Sequence, residues 1–315
     1  MFVLRGFAVS LTFFVVLYCL LSALLACAWR SLKLPHATER TCAAMLFALR
    51  VLPLVVSTVF TLAFVVPSFQ LLEPRSTDEG LGAVPLVLGI GALLLIACGC
   101  IRVITAQAKT SRVVERWLLG AQRFHHTAQS QTQTLTSCSR PEAPPLTLVG
   151  VHKPRVLVSE SAIALLNHDE LQIALRHESA HVRSRDNLKK LVFRFCPFPG
   201  MAKLESAWSQ TAELAADDAA VSNLDDALDL AAALVKLSRL APANAAPVCT
   251  VGFVTGSVGA RVARLVAWDE SRKSQPARVC NWHMIPAAIA AVLCVVATYG
   301  PALMLTHEIT EWIVR

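Results

Sequence analysis

Arg176-His177-Glu178-Ser179-Ala180-His181 lies inside a longer run, 169–187, that reads as one helix. Leu171, Ala174, Leu175 and Val182 recur at helical spacing, and no Gly or Pro interrupts them. Asp169 is the expected N-cap, with Glu170 in the first turn. On such a helix His177 and His181 stand one turn apart on one face. Two imidazoles so placed can share a zinc ion at about 2.0–2.1 Å. Glu178 projects beside that point. There it can take a proton from a metal-bound water whose pKa zinc lowers to about 7.

A hydrolytic zinc site usually has a third protein ligand. Downstream, Glu213-Leu214-Ala215-Ala216-Asp217 falls in a second run of helical composition. Glu213 and Asp217 are one turn apart and share a face. Glu213 is the expected third ligand. Asp217 is expected to accept the free ring N–H of a ligand histidine and so fix its tautomer. Asp218 points about 100° further round and suits that role less well. The competing reading is two amphipathic helices with exposed His and Glu.

With these residues in view the chain resembles the BlaR/MecR-type antirepressor peptidases, integral-membrane gluzincin metallopeptidases. The matching text is Gly150-x-x-x-Pro154-Arg-Val-Leu-Val-Ser159, then Glu170-Leu-x-x-x-Leu-Arg-His177-Glu-x-x-His181-x-x-x-x-Asp186-Asn187, then Glu213-Leu-Ala-Ala-Asp217. The resemblance is close over 146–240. It implies that His177, His181 and Glu213 bind Zn2+ and that Glu178 is the base. It implies an α+β gluzincin-type domain with a small β-sheet, in a mainly α, multi-span membrane protein. It also implies a cytosolic protein substrate, a transcriptional repressor, cut in signal transduction. In zinc peptidases of this kind an edge strand holds the substrate extended, and 146–151 is the expected strand.

The bulk composition points to a membrane independently. Of 315 residues, 55% are hydrophobic, and the mean hydropathy is +0.53. That is too apolar for an ordinary soluble domain. The net charge of +7 is explained by basic residues flanking spans, so no direct nucleic-acid binding is expected. The ten Cys show no paired metal spacing. Cys98-Gly-Cys100 reads as small apolar filling.

Three apolar runs, about 7–28, 43–72 and 81–101, are long enough to cross the lipid bilayer. Arg50 in the second is expected to snorkel toward Arg40. Arg30, Lys33 and Arg40 fill the first loop, and Arg102, Lys109, Arg112, Arg116 and Arg123 follow the third run. The loop 73–80 is acidic instead. The positive-inside rule then puts the first loop and all that follows the third run in the cytoplasm, and the N-terminus outside despite Arg5. The expected location is the inner membrane of a bacterium.

The expected division is a three-span region over 1–105, a cytosolic helix and linker over 106–145, and a zinc peptidase domain over 146–282. A fourth span over 283–306 and an external tail over 307–315 complete it. The helix leaving the third span is expected to run to 127, and 129–145 reads as a Gln/Thr/Ser/Pro linker. Two short strands, 146–151 and 155–159, flank a turn containing His152. Asp186 reads as a structural residue holding a helix end. The segment 187–195 is expected against the membrane surface, and 242–259 as a loop.

The expected activity is peptide-bond hydrolysis by a zinc metalloendopeptidase. The chain lacks the extracellular penicillin-binding domain of the best-known members of the resembled family, so β-lactam sensing is not expected; a separate sensor protein would fit. The alternatives are an HtpX-like quality-control protease and a catalytically silent receptor or scaffold.

Overall fold

A computed structural model describes residues 2–31, 37–73, 82–118, 122–128, 131–138, 144–151, 154–240, 250–252, 258–269 and 299–311. Three helical stretches are long and apolar enough to cross a membrane: Phe2–Ala28, Glu39–Leu72 and Ala83–Leu118. The first is α1. The second comprises α2 (Glu39–Phe60), a π-turn (Thr61–Val65) and α3 (Val66–Leu72). Pro67 has no N–H for the Ala63 carbonyl, which would otherwise bond it in an α-helix. The Tyr299 hydroxyl donates to that carbonyl at 2.8 Å instead. The third is α4 (Ala83–Leu118), 36 residues and about 54 Å long, well beyond the ~30 Å of hydrocarbon.

Five short strands form one sheet in the order β1-β2-β4-β3-β5. They are β1 (Gln122–Ala128), β2 (Gln131–Cys138), β3 (Leu146–Val149), β4 (Arg155–Ser159) and β5 (Thr250–Gly252). β3 and β4 pair antiparallel, with Leu146 opposite Val158 and Leu148 opposite Val156. β2 runs parallel to β4. Four expectations fail here. The helix from the membrane stops at Leu118, and the region read as a linker contains β2. Its Thr132, Thr134 and Thr136 recur every second residue, and β-branched side chains suit a strand. β3 is also not an edge. β5, inside the segment read as a loop, pairs with it, Leu148 facing Val251.

The helices that follow are α5 (Glu160–Leu165), α6 (His168–Ser184), α7 (Asp186–Phe195), α8 (Ala202–Ala220), α9 (Leu224–Ser238) and α10 (Val258–Val266). Residues 299–311 are also helical. Leu146, Leu148, Val156 and Val158 pack with Ile173, Ala174, Leu230, Leu234 and Leu265 in the main core. The alternate residues Val149 and Leu157 pack against Trp117, so the far end of α4 covers the other face of the sheet.

The domain is fastened to the spans by buried contacts. Arg50 does not snorkel. It is buried within α2, its Nε donates to Glu205 Oε1 of α8 at 2.9 Å, and a second donor reaches the Cys196 carbonyl. α7 lies against α4, and a Cβ at Gly99 would collide with the Phe195 carbonyl. All these contacts fall at the end where α1 closes, α2 opens and α4 continues. At the opposite end Arg5 pairs with Glu73 at 3.2 Å, and His307 Nδ1 stands 3.8 Å from Glu73. The loop residues 74–80, His152 and the stretch 284–298 of the expected fourth span lie outside the described residues.

The run 169–187 is two helices. Asn167, not Asp169, caps α6. Its Oδ1 accepts the Glu170 N–H at 2.7 Å, and Glu170 Oε2 accepts the Asn167 N–H at 3.0 Å. Arg185 then leaves the helical region, with φ 55° and ψ 40°. A left-handed residue other than Gly costs about 1–2 kcal/mol. We expect Arg185→Gly to keep or slightly raise the unfolding temperature and Arg185→Val to lower stability by about 1–2 kcal/mol, as thermal unfolding in detergent will measure.

Candidate metal centre

α6 and α8 lie side by side and turn their polar stripes toward each other. On α6, His177, Glu178 and His181 are buried; on α8, Glu213 and Asp217 are. His177, His181 and Glu213 each offer a ligand atom within 4.8 Å of the others, so this group can hold a metal ion. The two Nε2 atoms face each other at 3.2 Å. Two nitrogens about 2.0–2.1 Å from one tetrahedral ion would be separated by about that much. Glu213 Oε2 lies 3.6 Å from His177 Nε2, and Oε1 lies 3.8 Å from His181 Nε2.

Each ring is held from behind. His177 Nδ1 stands 2.9 Å from Asp217 Oδ1, and His181 Nδ1 stands 2.7 Å from Asp186 Oδ2. A carboxylate at Nδ1 keeps the proton there and leaves Nε2 with its lone pair for the ion. Asp217 was expected at such a place. Asp186 was not. The left-handed turn at Arg185 brings it back under His181, where Lys189 also meets it at 3.1 Å. Asn187, next along, donates to the Leu148 and Gly150 carbonyls at 3.3 and 3.0 Å and ties this turn to β3. Arg261 of α10 is the other unexpected member, reaching Asp217 at 2.6 Å and Glu213 at 3.0 Å.

Charge tests whether a cation fits. Glu178, Glu213, Asp217 and Asp186 supply four carboxylates, and Arg261 and Lys189 two cations. With neutral imidazoles a divalent ion cancels the remaining two negative charges. Without it, protons must serve. Burial opposes a charge on His177, but the Asp217 and Glu213 carboxylates outweigh it and hold its pKa at about 9. Burial pushes Glu178 up to about 7, against the pull of both histidines. Burial works against Asp217 as a carboxylate, yet His177 and Arg261 draw its pKa down to about 2. The pKa of Glu213 is likewise lowered: His181, His177 and Arg261 overcome its burial.

Both Glu178 oxygens are buried without a hydrogen-bond partner among the described residues. A carboxylate left so is costly unless a water or substrate group meets it. A cavity of about 380 Å³ opens beside His181, lined in part by Leu148, Gly150, Pro154, Asp186 and Asn187. It lies next to β3 on the side of His181 that meets Asp186, and His177, Glu178 and Glu213 do not line it.

No protein-family model matches the chain, and no curated protein matches it. The geometry above therefore carries the functional argument by itself. Because metal-free protein holds protons where the ion would sit, zinc titrated into it at pH 7 should release between one and two protons per ion. Calorimetry in buffers of different ionisation enthalpy measures this; zero release would contradict the charge balance.

Proposed function

We propose that the chain is an integral-membrane zinc metalloendopeptidase of the gluzincin type, similar to BlaR/MecR antirepressors, acting on a cytosolic protein. One observation carries the reading: two imidazole Nε2 atoms converge at 3.2 Å, each ring backed by a carboxylate, beside a buried carboxylate with no partner among the described residues. A structural zinc site is closed by four protein ligands, whereas a catalytic one keeps a position open. His177, His181 and Glu213 are three. A bound zinc ion would polarise the scissile carbonyl and lower the pKa of a water to about 7.

The chain's own residues supply the rest. Glu178, buried beside both ligand histidines, is placed to accept a proton and return it to the leaving amine. Asp217 and Asp186 hold the rings so that both Nε2 atoms stay aimed inward. The substrate segment runs past the end of β3 toward Glu178 and the two Nε2 atoms. Because β5 covers β3, an added substrate strand pairs with β5, the last strand of the sheet among the described residues, or with residues beyond Val149.

The domain faces the cytoplasm in this reading, with both termini outside. Basic residues gather at the end of the spans that carries the domain and outnumber Arg5 at the other end. His307 beside Glu73 fits a last helix that returns to that side. A transcriptional repressor is the proposed substrate and a separate sensor protein the proposed partner.

Glu178→Gln should leave zinc content unchanged and lower peptide cleavage by about 10²–10⁴-fold. The measurement is cleavage of a quenched fluorescent peptide library by detergent-purified protein, with metal analysis of the same sample. Full activity in the variant would contradict the assignment.

A further inference from the structure

Arg261 enters the site from α10, 44 residues beyond Asp217 and 48 beyond Glu213. It is only 3% exposed. Its Nε and Nη2 donate to the two Asp217 oxygens at 2.8 and 2.6 Å, and its Nη1 donates to Glu213 Oε2 at 3.0 Å. One planar guanidinium thus spans both carboxylates of α8. One turn further on, Arg264 makes a second fork to Asp218 at 2.7 and 2.8 Å and approaches Glu39, at the start of α2, at 3.7 Å. α10 thus meets α8 through two forks, and the one at Arg264 lies outside the site.

The consequence lies in how Glu213 can meet an ion. A carboxylate binds a metal through one oxygen or through two. With two histidines, a one-oxygen Glu213 leaves the fourth position open to water; a two-oxygen Glu213 takes that position, and water then enters only as a fifth ligand. Both Glu213 oxygens face the imidazoles, Oε2 at 3.6 Å from His177 Nε2 and Oε1 at 3.8 Å from His181 Nε2, but Oε2 also accepts from Arg261 and Oε1 does not. The same guanidinium locks Asp217, which stands against His177 Nδ1 at 2.9 Å. Lysine could not do both, since an ammonium is a point charge and not a fork.

We propose that Arg261 is a positioning residue that restricts Glu213 to one metal-binding oxygen and so keeps the fourth coordination position open. This rests on the metal-site reading above. Arg261 itself touches neither ion nor substrate; it acts through Glu213 and Asp217.

The probe is Co2+, whose visible absorption reports coordination number: four-coordinate sites absorb strongly and five-coordinate ones weakly. Full-length protein in detergent is stripped of metal and titrated with Co2+ as wild type, Arg261→Met, Arg261→Lys and Arg264→Ala. We expect strong absorption from wild type and Arg264→Ala, loss of most of it in Arg261→Met, and an intermediate loss in Arg261→Lys. A folded Arg261→Met protein with the wild-type spectrum overturns the proposal while leaving the metal site standing. If Arg261→Met does not fold, Arg261→Lys decides: a weakened band supports the proposal, and an unchanged band overturns it. Wild-type protein that takes up no Co2+ overturns both.

Discussion

The constraint on which this molecule depends is buried charge. Four carboxylates and two imidazoles are packed out of water between α6, α7 and α8, with one arginine and one lysine against them. A buried ion is expensive unless paired, so the cluster cannot stand as bare carboxylates. It needs two further positive charges, as protons or as a divalent cation. Much of the local chain geometry serves that need. The turn at Arg185 returns Asp186 to His181, the one-turn spacing on α8 aligns Glu213 with Asp217, and α10 delivers a guanidinium to both. The apolar core of Ile173, Leu230 and Leu234 behind α6 and α9 keeps water from screening the arrangement.

The second feature is how firmly this centre is joined to the spans. α8 carries two site residues at one end and Glu205 at the other, and Glu205 holds the buried Arg50 of α2. Trp208 of α8 packs on Phe193 of α7 with ring centroids 4.9 Å apart, and the same cluster includes Leu46 of α2. α4 passes through both worlds, small at Gly99 where the Phe195 carbonyl approaches and aromatic at Trp117 where the sheet rests. The helix that carries Glu213 and Asp217 thus also carries the contact to α2. No flexible tether intervenes along α8.

Much of this was legible in the sequence because it is local. His177, His181 and Glu178 share one helix, and Glu213 and Asp217 share another, so helical spacing alone groups them. The long apolar runs announce the spans. What escaped is what depends on tertiary contact. Arg261 has no local signature, and only the docking of α10 gives it a role. Asp186 sits one residue beyond an αL break that spacing rules read straight through, since Arg at such a place is uncommon. Arg50 looked like a snorkelling arginine because its partner Glu205 lies 155 residues away. The sheet was half legible. β3 and β4 are apolar and separated by a turn. β2 hides in a Thr/Gln stretch of linker composition, and β5 is only three residues long.

His177, His181 and Glu213 are placed to close on a single ion. X-ray absorption at the zinc edge on metal-loaded, full-length protein tests it most directly. One zinc per chain is expected, with two imidazole nitrogens and light-atom neighbours at about 2.0–2.1 Å, and loss of the imidazole scattering in a His177→Ala, His181→Ala double variant. Zinc bound through sulfur, or an imidazole signal unchanged in that variant, would contradict it.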